Sequence, residues 1–258
     1  MTDLGIDEPN ALRELKTEFT RFMMSYKFAT DEMMTKINIL KEEFSSIHDY
    51  NPIEHVRSRL KSPEGILKKA LRTDCPLALD EIRDHIQDIA GIRITCSFIS
   101  DTYRVCDMLS RQQDVTVLKV KDYIASPKPN GYKSLHLLVA VPVFMSDRVQ
   151  PVTVEIQIRT IAMDFWASLE HKIYYKYGGG VPATLLVDLK RAADVAGRLD
   201  VEMERLHEQV VALGIDPDDV DDHVNLDLLS QLPMSSAVLE AFARGLTGVP
   251  TPKMNEGA

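Results

Sequence analysis

Apolar and polar residues alternate one by one over Val152–Arg159, VTVEIQIR. Val152, Val154, Ile156 and Ile158 share one face, and Thr153, Glu155, Gln157 and Arg159 share the other. The spacing predicts a strand with one buried side. The same period appears around Arg57, Arg59 and Lys61, with Val56, Ser58 and Leu60 on the opposite parity. It returns where Ile92, Ile94 and Cys96 alternate with Arg93, Thr95 and Ser97, and shorter strands are expected over Val115–Val120 and Ser134–Val141.

Elsewhere the apolar spacing changes to three and four, which predicts helices. Leu12, Leu15, Phe19, Phe22 and Tyr26 mark a first helix. Ile37, Leu40, Phe44 and Ile47 mark a second, with Thr30 as its N-cap and Asp31 and Glu32 in its first turn. Asn51-Pro52 breaks it. Ser62-Pro63-Glu64 reads as an N-cap, a proline at the first helical position and an acid in the first turn. Tyr103–Leu109 is expected to form a short helix. Ile161, Phe165, Leu169 and Ile173, widened by Trp166, predict a helix whose stripe is core, stopped at Gly178–Gly180. Leu185, Leu189, Ala192, Ala196, Leu199, Met203, Leu206 and Val210 step by four and three in turn. That is a heptad seam, to be packed on its own domain or on another subunit. The chain beyond Asp216 is acidic, then small and polar, and 245–258 reads as disordered.

Composition narrows the class. With 258 residues, 45% hydrophobic and 27% charged, the chain suits a globular protein of one or two domains. It has no apolar run of spanning length, and MTDLGIDEPN has no leader pattern, so a cytoplasmic protein without membrane contact is expected. Cys75, Cys96 and Cys106 lack CxxC spacing, so neither disulfides nor zinc are expected. A net charge of −9 argues against nucleic acid as a general partner. Metal readings of His48-Asp49 and of Asp218, Asp219, Asp221 and Asp222 fail for want of further ligands or EF-hand spacing.

Local chemistry clusters more sharply than the totals. A basic strand with Arg59 and Lys61 runs into the Ser62 helix start, and Lys68, Lys69 and Arg72 follow. A helix N-terminus fed by such a strand suits polyphosphate, against the plainer reading of a solvated basic face. Asp88 stands at the mouth of the Arg93 strand, where Gly91 permits close approach. The rigid loop around Pro127, Pro129, Asn130 and Gly131 carries Lys128, Tyr132 and Lys133, with Lys121 before it and His136 after it. A tyrosine among lysines suits base stacking with phosphate contact, or the loop is an ordinary hairpin. Glu155 is a rigidly held carboxylate that Arg159 could orient, unless this is only a solvent-facing strand.

The segments RLKSPEGI, DIAGIRI, KVKDYIASPKPNGYKSLH and VEIQIRTIAMDFWASLEH, in this order, closely resemble the synthetase domain of the RelA/SpoT homologue family. The resemblance covers roughly 53–177, and the short length resembles the small alarmone synthetases. It implies an α+β fold: a mixed five-stranded sheet flanked by helices, nucleotidyltransferase-like, with N- and C-terminal helical extensions. The expected divisions are a helical extension over 1–50, the catalytic domain over 51–178, an amphipathic helix over 179–215 and the tail over 216–258.

The implied activity is transfer of the β,γ-pyrophosphate of ATP to the 3′-hydroxyl of GDP or GTP, with GMP also open, making (p)ppGpp for the stringent response. By the same resemblance Arg59 and Arg93 sandwich adenine, while Lys61 and Lys69 hold the ATP phosphates beside Ser62. Asp88 and Glu155 bind Mg²⁺, and Glu155 takes the hydroxyl proton. Tyr132 stacks on guanine; Lys121, Lys128 and His136 contact acceptor phosphates; Gln157 and Glu170 complete the acceptor wall. A homotetramer is implied as well. Lys119-Val120-Lys121-Asp122 resembles the basic variant of a motif that is acidic in long members, which leans against a two-metal acceptor site. Asp164 stands where some small synthetases carry Asn in an inter-subunit alarmone cleft, and an acid there opposes an anionic effector. Two other readings are a nucleotidyltransferase of different chemistry and an inactive nucleotide- or RNA-binding scaffold. The first usually needs paired acids after a Gly-Ser turn, a dipeptide this chain lacks. Against the second stand the intact Asp88 and Glu155.

Overall fold

Strand alternation is realised in β1 (His55–Leu60), β2 (Ala90–Cys96), β3 (Thr116–Asp122), β4 (Leu135–Phe144) and β5 (Val149–Thr160) of the computed structural model. The structure describes residues 8–48, 50–177 and 180–213. The tail over 216–258 and its acids, Gly178, Gly179 and Asp49 lie outside the described residues. The strands form a mixed sheet in the order β1-β2-β5-β4-β3, with β2 and β5 parallel and the other neighbours antiparallel. Val152, Val154, Ile156 and Ile158 of β5 are buried as the alternation requires.

Around the sheet lie α1 (Glu8–Ile47), α2 (Pro63–Arg72), α3 (Leu79–His85), α4 (Ile99–Ser110), α5 (Ile161–Lys176) and α6 (Ala183–Ala212). The expected pair of N-terminal helices is one helix, α1. Thr30 is buried inside it rather than capping, and its hydroxyl donates to the Tyr26 carbonyl at 2.8 Å. A threonine can satisfy itself one turn back, and Phe22, Tyr26, Ala29, Met33, Ile37 and Phe44 continue the buried stripe through it. α2 starts as predicted: the Gly65 amide donates to Ser62 Oγ at 3.1 Å. α4 starts four residues earlier than expected. Its first amides, Ile99 and Ser100, donate to Glu204 of α6 at 2.7 and 3.2 Å, a cap supplied from far along the chain.

The expected core stripe on α5 is a correction. Ile161, Phe165 and Leu169 are 53%, 66% and 40% exposed; Trp166 is buried as expected, and Met163 and Ala167 are buried with it. Trp166 Nε1 donates to the Leu189 carbonyl at 2.9 Å, which turns that face onto α6. The heptad seam is likewise offset. α6 buries Leu189, Ala193, Gly197 and Asp200, while Leu199, Met203 and Leu206 stay exposed. The two unburied stripes face each other across an apolar groove of about 890 Å³, lined by Phe165, Leu169, Val195, Leu199 and Met203 among others. Among the described residues no helix is long and apolar enough to cross a membrane. All three cysteines are buried and unpaired.

Candidate active site

Register places the polar side chains of the sheet in rows. Arg57 pairs with Arg93, Arg93 with Gln157, Gln157 with His136, and His136 with Lys121, so one row crosses all five strands. A neighbouring row runs Arg59, Gly91, Glu155 and Leu138. Gly91 leaves room for Arg59 to lie over the sheet: a Cβ there would meet Arg59 Cγ and Nε at 3.5 Å. Two cavities open on this face. One, of about 200 Å³, is lined by Arg57, Arg59, Gly91, Arg93, Glu155 and Gln157. The other, of about 140 Å³, is lined by Lys69, His85, Asp88, Lys119, Lys121, His136 and Glu155. Glu155 belongs to both.

Asp88 accepts from Lys69 Nζ at 2.6 Å and pairs with Lys61 Nζ at 3.0 Å. Burial pushes its carboxyl up, but the two lysines outweigh that and hold it below the ordinary carboxylate range. Glu155 shows the same contest. Burial raises it, the bonds from His136 and Gln157 lower it, and the net shift is downward despite the nearby Asp88 charge. Both carboxylates are therefore ionised at neutral pH.

Around Glu155 the hydrogen bonds close into a ring. Gln157 Nε2 donates to Glu155 Oε2 at 3.0 Å, and Gln157 Oε1 accepts from Arg159 Nη2 at 2.8 Å. The same Nη2 donates to the Tyr132 hydroxyl at 2.6 Å. That hydroxyl lies 2.8 Å from His136 Nε2, and His136 Nδ1 lies 3.2 Å from Glu155 Oε1. A guanidinium has no acceptor, so Arg159 donates both to Gln157 Oε1 and to the Tyr132 hydroxyl. In the tautomer where Tyr132 donates to Nε2, the Nδ1 proton is left for Glu155. Arg159 itself is only 4% exposed, and its Nη1 pairs with Asp164 Oδ1 at 3.1 Å. Arg93 Nη1 reaches the same oxygen at 3.1 Å. Asp164 is thus paired with two guanidiniums at one carboxylate oxygen.

Of the residues predicted from sequence, Arg59, Lys69, Asp88, Arg93, Lys121, His136, Glu155 and Gln157 line the two cavities. Lys61 joins them through Asp88, and Tyr132 through His136 and Arg159. Ser62 is occupied as the α2 cap. Lys128 Nζ sits over the rings of Tyr123 and Tyr132 at 4.6 and 4.7 Å. Glu170 stands apart: it accepts from Asn130 Nδ2 at 3.1 Å and lines a different cavity with Pro129, Trp166 and Lys190. It braces the loop rather than facing Glu155. Sequence reasoning passed over Asp164 as a partner of Arg93, and His85, Lys119 and Tyr123. Only Lys119, in its basic motif, carried a readable signal.

Two oxygen donors, Asp88 and Glu155, face one cavity flanked by lysines. A hard divalent cation that keeps waters and shares substrate phosphates needs no more protein ligands than these. Among the described residues no cluster of three or more His, Cys, Asp or Glu forms a closed metal cage.

The family model described as a region found in RelA / SpoT proteins matches residues 58–180. The chain is 49% identical over 208 residues to the GTP pyrophosphokinase YwaC of Bacillus subtilis, covering 81% of this chain and 99% of that protein. It is similar to the crystal structure of small alarmone synthetase 1 from Bacillus subtilis bound to its product pppGpp. The TM-score is 0.70 and the identity 41%, over 75% of this chain and 98% of that one. The same synthetase bound to AMPCPP matches with a TM-score of 0.65 and 38% identity, over 75% of this chain and 98% of that one.

Proposed function

The chain belongs to the RelA/SpoT family of GTP pyrophosphokinases, and from that premise we propose how its own residues move the β,γ-pyrophosphate of ATP to the 3′-hydroxyl of GDP or GTP, giving (p)ppGpp. The observation that carries the proposal is the meeting of two cavities at one carboxylate, Glu155. One has two planar guanidiniums, Arg59 and Arg93, suited to the faces of adenine. The other has lysines and His136, suited to phosphates.

Lys61 and Lys69 now hold Asp88. With ATP present they turn to its phosphates beside the α2 start, whose amides favour anions. Their charge counts most in the transition state, where negative charge spreads over the transferred group. Tyr132 stacks on guanine, and Lys121, Lys128 and His136 meet the acceptor phosphates. Lys128 leaves the tyrosine rings to do so. Glu155, with both oxygens oriented by donors, takes the proton of the 3′-hydroxyl, and Gln157 keeps it aimed. Asp88 and Glu155 would hold Mg²⁺, which when bound neutralises polyphosphate charge and acidifies the hydroxyl. We place the reaction in the cytoplasm, where both nucleotides are available, and assign the α5–α6 groove to subunit contacts of a homotetramer.

Incubation with ATP, Mg²⁺ and GDP followed by anion exchange tests the reading. AMP plus a slower-eluting guanosine product is expected. ADP alone would indicate a kinase or ATPase, and no turnover a scaffold.

A further inference from the structure

Arg159 lines neither cavity, yet it is bonded to residues on both sides of the site. On the acceptor side its Nη2 holds the Tyr132 hydroxyl at 2.6 Å, and the same nitrogen holds at 2.8 Å the Oε1 of Gln157, which lines the Arg59–Arg93 cavity rather than the acceptor wall expected from sequence. On the donor side its Nη1 shares Asp164 Oδ1 with Arg93, each at 3.1 Å. Its Nε donates to Ser134 Oγ at 3.3 Å, at the start of the strand that bears His136. All three nitrogens are used, and between them they hold four partners. A salt bridge to Asp164 occupies the edge of the Arg93 guanidinium and leaves its face for a base.

We propose that Arg159 is a positioning residue shared by both substrate sites, so that adenine bound against Arg93 and guanine bound against Tyr132 strengthen each other through the Arg93–Asp164–Arg159–Tyr132 chain. The proposal rests on the assignment of those two sites above. Its physical basis is order: whichever nucleotide binds first fixes its arginine or tyrosine, and the rigid fork passes that restriction on. The second nucleotide then has less to immobilise. The coupling is reciprocal. Lysine cannot replace this fork, because one ammonium cannot meet Asp164, Gln157, Tyr132 and Ser134 in fixed directions.

The test is calorimetric titration of GDP into the full chain with Mg²⁺, alone and with saturating AMPCPP, for wild type, Arg159→Lys and Asp164→Asn. Asp164 is partly exposed, and its amide variant keeps its shape, so this variant covers the case in which Arg159→Lys fails to fold. In wild type AMPCPP is expected to tighten GDP by about 5–150-fold, the usual span for coupled sites. In both variants that factor falls towards one, while each nucleotide alone binds within severalfold of wild type. A variant that merely loosens the fold weakens both nucleotides and leaves the factor unchanged, which overturns the proposal. So does a wild-type factor of one. Failure of wild type to bind GDP or AMPCPP at all removes the site assignment itself, and the proposal with it.

Discussion

Changing Glu155 to Gln is the most direct probe of the reaction, and the ring around it sets what that change costs. The amide is nearly isosteric but brings a donor to a place where both oxygens accept. Gln157 cannot turn to receive it, because its oxygen is committed to Arg159. His136 can, by moving its proton from Nδ1 to Nε2, but Nε2 then points a donor at a Tyr132 hydroxyl that already accepts from Arg159. The tyrosine proton must then leave the ring. On the first path one hydrogen bond is lost; on the second the ring keeps its bonds but the tyrosine proton loses its acceptor, so either costs about 1 kcal/mol. For a chain of this size that lowers the melting temperature by roughly 2–4 °C. Chemistry loses far more, since the amide neither takes a proton nor carries charge. A factor of about 10²–10⁴ is ordinary for a lost base, roughly 3–5 kcal/mol on the barrier. Product is followed by anion exchange, with melting measured on the same preparation. Turnover near wild type removes Glu155 from the mechanism. A melting temperature lower by more than about 10 °C would assign the loss to folding instead, refuting the view that the ring tolerates the amide.

Tyr132→Ala should raise the acceptor KM by about 5–150-fold with little change for ATP, as expected from roughly 1–3 kcal/mol of stacking; equal effects on both substrates contradict the assignment. Tyr132→Phe keeps the stack but removes a hydroxyl held by both Arg159 and His136, so kcat should fall about tenfold, and an unchanged kcat would show the ring to be idle. Asp88 is held below its ordinary value of 3.8, so its pairing stabilises the fold above that value and is lost as pH falls through the lowered one. Asp88→Asn should therefore melt lower at neutral pH, by roughly 1–3 kcal/mol, with the gap closing in acid; parallel curves throughout would refute this. Gly131 has φ +88, and a Cβ there would lie 2.5 Å from Ala193 Cβ, so Gly131→Ala should cost more than 1–2 kcal/mol in melting, roughly the left-handed penalty alone. At Gly197 an added Cβ meets only the movable end of Lys133, so Gly197→Ala should be mild, and equal costs would disprove the distinction. Leu199→Glu should split the assembly in light scattering, and a wild-type mass near 29.1 kDa would dismiss the assembly itself.

The parts legible in sequence are those governed by short spacing. Period-2 alternation placed the β5 face and Glu155 correctly because a strand's two sides are fixed by the backbone alone. The Ser62-Pro63-Glu64 start of α2 is equally local. Thr30 misled because a threonine hydroxyl serves a cap and a mid-helix turn alike. α3, of seven residues, is too short to show a helical period. The start of α4 was hidden because its cap is Glu204, brought from another helix. In the site, Lys61, Lys69 and Asp88 could be suspected one by one, but not that the lysines grip the acid. Arg159 stood on the right parity, yet its bond to Tyr132 depends on how the loop returns over the sheet.

The α5 and α6 stripes show the remaining gap between pattern and packing. Helical spacing says that an apolar stripe exists, not what covers it. α6 meets the acceptor loop through its small residues: Gly131 abuts Ala193, and Lys133 lies over Gly197. These contacts fix the rotation of the helix. Turning α6 to bury Leu199 would swing larger side chains into a loop that has no room for one methyl group. Leu199, at 54% exposure, and Phe165 across the groove therefore cannot be buried by a small adjustment of these elements. Exposed apolar surface of this extent is uncommon on a free monomer. In the assembly proposed above another chain supplies the cover, so Leu199→Glu is expected to disrupt the assembly and to leave the fold of the chain intact.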